Sequence, residues 1–116
     1  MADVFVDTDV LVDHLRGHAR FSPGRDRVLY SVVTRAELFA GRTVDEHAVR
    51  TLLEPFVEVP IDREVAESAG AVRHVTGVPL ADALVAASAL SRGATLLTRN
   101  RRDFDRIPRL RVRTPR

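Results

Sequence analysis

No cysteine and no lysine occur among the 116 residues. The missing cysteine excludes disulfides, thiolate zinc sites and cysteine nucleophiles, and it fits a reducing compartment. The missing lysine excludes Schiff-base chemistry, a P-loop built on lysine, and the lysine that a phosphoacceptor receiver domain uses. No apolar run approaches the roughly 20 residues of a membrane span. The N-terminal Met-Ala-Asp-Val-Phe-Val-Asp has neither the basic region nor the long apolar region of a signal peptide. A cytoplasmic protein with no membrane partner is therefore expected. Repeats and low-complexity tracts are also missing. What is present is 45% apolar residues in a length that suits one domain, so residues 1–116 are expected to form a single globular unit with a sizeable core.

The net charge of +2 conceals an uneven distribution. Residues 92–116 carry nine arginines against Asp103 and Asp105, a balance of +7, whereas the first 91 residues carry nine arginines against fourteen acids, a balance of −5. A basic end on an acidic body points to a polyanionic partner. A GC-rich genome accounts for arginine in place of lysine, but not for the crowding of arginines at one end. A solvated charged tail is the competing explanation.

Hydrophobic patterning predicts alternating strands and helices. Val4-Phe5-Val6 is a wholly apolar strand that stops at Asp7. Val10, Leu11 and Leu15 follow at helical spacing, and Gly17 ends that helix. After a polar turn at Ser22-Pro23-Gly24, Val28 to Val33 reads as a second strand. Thr34 and Glu37 have the spacing of a capping box for a short helix ending near Gly41, and Thr43 and Glu46 repeat that pattern ahead of Val49, Leu52, Leu53 and Phe56. Val57, Val59 and Ile61 suggest a third strand. Asp62 looks like the cap of a helix broken at Gly77-Val-Pro79. Asp82 heads a stretch so apolar, through Leu90, that it should lie at the centre of the molecule. Ala94–Thr98 is a fourth strand, and Leu110–Thr114 alternates like an edge strand. The class is α/β, a three-layer α/β/α arrangement with a mainly parallel sheet of five strands.

In such sheets, ligands bind beyond the carboxyl ends of the strands. Asp7, Glu37, Asp82, Asn100 and Asp103 all fall there. Each acid alone has an ordinary explanation as a cap or a surface residue. Together they suggest more, because Asp7 adjoins a wholly apolar strand and Asp82 a wholly apolar helix. Buried, clustered carboxylates lose hydration and repel one another, and a divalent cation relieves both penalties. Carboxylate oxygens select Mg²⁺ or Mn²⁺, whose usual partners are phosphates. Arginines that hold a phosphate backbone would complement that centre.

Four segments in order, Phe5-Val-Asp-Thr-Asp-Val-Leu-Val12, Ser31-Val-Val-Thr-Arg-Ala-Glu-Leu-Phe-Ala-Gly41, Gly77-Val-Pro-Leu-Ala-Asp-Ala-Leu-Val-Ala-Ala-Ser-Ala-Leu90 and Gly93-Ala-Thr-Leu-Leu-Thr-Arg-Asn-Arg-Arg-Asp-Phe104, resemble the PIN-domain ribonucleases. Within that family the resemblance is to VapC-type toxins of bacterial toxin–antitoxin modules. It implies a PIN-like fold and a Mg²⁺- or Mn²⁺-dependent endoribonuclease. Its four acids match Asp7, Glu37, Asp82 and Asp103. Asp7 and Asp82 are expected to ligate the metal directly, and Glu37 and Asp103 to complete the site by ligation or through metal-bound water. Thr98 and Asn100 match the positions that support the site by hydrogen bonds. The resemblance also implies an RNA substrate, often tRNA, a homodimer, and a VapB-type antitoxin whose C-terminal tail blocks the groove. Asp9 departs from the small polar residue more usual at its position, and the segment 18–27 is short for the family.

Two other functions are compatible with these residues: a PIN nuclease of RNA processing or decay with no toxin role, and an RNA-binding module without catalysis. Arg99, Arg101 and Arg102 border the expected site, where phosphate contact and a solvated face are both open. The four histidines lack metal-ligand spacing and are expected at the surface or in packing, and Phe56 and Phe104 are expected in the core.

Overall fold

The computed structural model describes residues 2–115. Five strands, β1 (Asp3–Val6), β2 (Arg27–Ser31), β3 (Val57–Val59), β4 (Thr95–Leu97) and β5 (Val112–Arg113), form one sheet in the order β3-β2-β1-β4-β5. Every ladder is parallel, so the sheet is wholly rather than mainly parallel. Parallel neighbours need crossovers, and the crossovers cover both faces. That is why Val4, Phe5 and Val6 are all buried.

Alternate residues serve the two faces. Val4, Val6, Val28, Tyr30 and Leu97 pack with Val10 and Leu11 of α1 (Thr8–Leu15), Leu38 of α2 (Val32–Phe39), and Val49 and Leu53 of α3 (Glu46–Leu53). Phe5, Leu29, Val59 and Leu96 pack on the other side with α4 (Arg63–Thr76) and α5 (Leu80–Ser91). The expected central helix is α5: Ala83 and residues 85–89 are all buried. Its buried alanines and buried Ser88 let backbone elements approach closely. Gly77, at φ +75°, closes α4 in the left-handed conformation and lets the chain turn at once into α5. Phe104 is fully buried, and half-buried Phe56 meets Phe21 edge-to-face at 5.9 Å.

Several expected boundaries shift, each for a local reason. The second strand stops at Ser31, whose side chain accepts the Val33 N–H at 3.1 Å and starts α2 two residues before the β-branched run ends. Thr34 is therefore not a cap. The cap of α3 is Asp45, which accepts from Ala48 N at 3.1 Å, rather than Thr43. β3 ends before Pro60, which has no N–H for the ladder. The apolar helix begins at Leu80, so Asp82 is its third residue and caps nothing. β5 is only two residues long at the sheet edge, and a four-residue helix α6 (Arg101–Phe104) follows β4. Among the described residues, no helix is long and apolar enough to cross a membrane.

α2 is fixed to the sheet by a small polar cluster. The buried Tyr30 hydroxyl donates to Glu58 Oε1 at 3.1 Å and accepts from Arg35 at 3.0 Å. Arg35 also pairs with Glu58. The cluster lies within one turn of Glu37 and ties the helix that carries it to β2 and β3.

Candidate active site

The chain order reverses about β1: β2 lies on one side of it and β4 on the other. A crevice opens beyond the carboxyl ends of two strands at such a point. Asp7 stands there. Its N–H donates to the Leu97 carbonyl at 2.9 Å, which ties the end of β1 to the end of β4. Its Oδ1 accepts from Thr8 N at 2.9 Å and its Oδ2 from Thr98 Oγ1 at 2.8 Å. Asp7 is thus both the cap of α1 and a residue of the crevice. Its residual exposure is 7%. Burial, followed by the neighbouring Asp9 charge, pushes its carboxyl up to about 7 against the hydrogen bonds from Thr98 and Thr8, and Asp82 adds a further push.

Asp9 faces inward, not into solvent. Its Oδ2 accepts from Arg99 N at 3.1 Å and more distantly from Thr98 Oγ1 at 3.4 Å. Its Oδ1 is buried and has no hydrogen-bond partner among the described residues. Burial raises its pKa above the ordinary carboxylate value. Asp82 is raised too, first by burial and then by the charges of Asp103, Glu37 and Asp9. The four sequence-matched acids and Asp9 therefore share one electrostatic environment, although they come from four separate parts of the chain.

Thr98 and Asn100 lie beside the acids and bond to each other. Asn100 N donates to Thr98 Oγ1 at 3.0 Å, and its Nδ2 donates to Asp103 Oδ2 at 3.1 Å. Glu37 is exposed but not free. Its Oε1 accepts from Thr8 Oγ1 at 2.7 Å, and the Thr8 hydroxyl also meets that of buried Thr34 at 2.9 Å. Because one hydroxyl proton goes to Glu37, Thr34 donates to Thr8. Thr8 was not singled out in the sequence, since a lone threonine at a helix start has no pattern of its own. The three arginines differ. Arg99 Nε pairs with Asp13 Oδ2 at 2.8 Å, and Arg101 reaches Asp105 at 3.5 Å. Arg102 is exposed and pairs with no acid among the described residues.

This donor set suits a hard divalent cation. It is all carboxylate, its buried members repel one another, and Asp9 presents an oxygen with no partner. Among the described residues, however, no three acid or histidine side chains already stand together as a ready ligand set. An ion would have to draw them in.

An all-parallel α/β sheet with acids around its reversal point is the PIN-like arrangement. The chain belongs to the PIN-domain family, whose model matches residues 4–110. Among solved structures it is similar to a toxin–antitoxin complex from Klebsiella pneumoniae, with 29% identity over 97% of this chain and 98% of that one and a TM-score of 0.79. It is similar to VapBC-5 from Mycobacterium tuberculosis, with 26% identity, coverage of 100% and 99%, and a TM-score of 0.68. It shares the fold of VapBC2 from Rickettsia felis bound to a promoter DNA fragment, with 19% identity, coverage of 97% and 98%, and a TM-score of 0.81. No curated protein matches the sequence. The resemblance drawn from the four motifs agrees with these matches. PIN domains are nucleases.

Proposed function

We propose that the chain, acting as one PIN-like domain, is the toxin of a VapBC-type toxin–antitoxin pair and hydrolyses RNA phosphodiester bonds at the acidic crevice. The observation that carries this reading is Asp7. It is a carboxylate buried at the end of β1, held by two hydrogen bonds and raised to about 7 by burial and by neighbouring acids. Burying an acid among other acids costs the fold stability at neutral pH, whereas a bound cation would offset that cost.

Asp7, Asp82 and Asp103 would hold Mg²⁺ or Mn²⁺. An ion held there would supply water activation and charge neutralisation at a phosphoryl oxygen. The protein's own part is positional. Thr98 and the Thr8 amide orient Asp7, Asn100 orients Asp103, and Thr8 with Thr34 orients Glu37 at the mouth. Exposed Arg102 has a guanidinium available for backbone phosphate. The likeness to toxin–antitoxin complexes supports a VapB-type antitoxin as partner, and the motif resemblance implies RNA, including tRNA, as the substrate class and a homodimeric toxin.

The test is cleavage of an RNA pool by the wild type and by Asp7→Asn, each with Mg²⁺ and with EDTA, alongside growth after induction. Wild-type cleavage that needs metal and vanishes in the variant supports the proposal. Cleavage indifferent to both changes refutes the mechanism. Cleavage without growth arrest favours an RNA-processing or decay nuclease with no toxin role.

A further inference from the structure

We infer that Asp9 and Asp13 clamp the loop after β4, and that Arg99 is a positioning residue held by that clamp rather than a contact to substrate phosphate. The inference rests on the crevice being the cleavage site, as proposed above.

Asp9 and Asp13 are four residues apart on α1, so they lie one above the other on one face of the helix. Arg99 engages both with different groups: its backbone N–H meets Asp9 Oδ2 at 3.1 Å, and its guanidinium meets Asp13 Oδ2 at 2.8 Å. Contacts at two points one helical turn apart fix direction as well as position. The loop so fixed carries the site. Thr98 donates to Asp7 on one side of Arg99, and Asn100 donates to Asp103 on the other. A hydrogen-bonded route thus runs from half-buried Asp9 and Asp13 of α1, through Arg99 and the backbone, to the fourth acid.

The pairing also sets where the charge of Arg99 goes. The guanidinium is engaged by Asp13 along the helix, while only the backbone N–H of Arg99 meets Asp9. About a third of each side chain of the pair is exposed, 32% for Arg99 and 30% for Asp13. Exposed His18, 3.9 Å from the other oxygen of Asp13, is the second group facing this carboxylate.

The experiment compares Arg99→Gln, Asp13→Asn and the double variant with the wild type, using full-length protein, a defined RNA and Mg²⁺. A clamp predicts that each single change lowers kcat about fivefold, the factor expected from an ion pair at the upper end for partly exposed groups. KM and the salt dependence of RNA binding should not change. The double variant should be no worse than either single one, and Arg99→Lys, which keeps the pair, should recover most of the loss. A phosphate contact predicts otherwise: Arg99→Gln raises KM and flattens the salt dependence, and Asp13→Asn does not follow it. That result, or additive losses, overturns the inference. Amide hydrogen exchange of residues 99–103 provides a readout that needs no activity. It should rise about fivefold in both single variants and no further in the double. Unchanged exchange also overturns the inference. If the wild type cleaves no RNA, the proposed function fails, and the exchange comparison alone decides the clamp.

Discussion

Replacing Asp7 by Asn should make the metal-free protein more stable, and increasingly so as the pH rises. In the folded chain the Asp7 carboxyl titrates at about 7, against 3.8 for the ordinary side chain. Between those values the folded state holds a proton that the unfolded state has released, so stability falls as the pH rises through this window. At about 1.36 kcal/mol per pH unit, the loss approaches about 1.5 kcal/mol by pH 5 and about 4 kcal/mol by pH 8. Asn keeps the shape and does not titrate. Its carbonyl oxygen can accept from Thr8 N, and its NH₂ can donate to the Thr98 hydroxyl. The advantage of the variant should therefore grow by about 2.5 kcal/mol from pH 5 to pH 8, which for a chain of this size is about 10 °C in Tm. Urea or thermal unfolding followed by circular dichroism in EDTA measures it. Saturating Mg²⁺ should then close the gap by stabilising only the wild type, by about 2.7 kcal/mol at a hundred times Kd. A difference between the two proteins that stays constant or shrinks from pH 5 to pH 8 would refute the buried-carboxylate argument.

Other substitutions test neighbouring parts of the structure. Thr98→Val removes the donor to Asp7 and the acceptor for Asn100 N, so urea unfolding should show a loss of about 1–3 kcal/mol and the pH dependence of stability should move further upward. Gly77→Ala places a Cβ at φ +75° in the α4–α5 turn and should cost about 1 kcal/mol in a denaturant titration. Arg109 is the one non-glycine residue with positive φ among those described, at +66°, so Arg109→Gly should be neutral or stabilising by up to about 1 kcal/mol in the same assay. Phe5→Ala, at a fully buried position of the central strand, should lose about 3–5 kcal/mol.

Much of this architecture is legible in the sequence because parallel strands are buried on both faces. Val4-Phe5-Val6 and the run around Leu96 cannot be mistaken for amphipathic surface, and the apolar face of α5 extends nearly all round. Boundaries are harder to read where local chemistry overrides composition. Val32 and Val33 favour a strand by their branching, yet the Ser31 side chain turns them into a helix. The acids were visible at the strand ends, but their convergence was not, because it depends on β1 lying beside β4. Only the motif resemblance carried that adjacency. The inward direction of Asp9 was equally hidden. It follows from Asp7 capping α1, which sets the phase of the helix and turns the residue two positions later toward Arg99.

The pairing of Asp7 with Thr98 joins positions 91 residues apart. A chain still emerging from the ribosome can complete α1, β2 and β3 while β4 is unmade, and at that stage Asp7 has no partner across the crevice. Contacts of such long range also form late in folding. For a protein proposed to cut RNA, the consequence is a built-in delay: the whole stretch from Asp7 to Thr98 has to be made before the cutting centre can assemble.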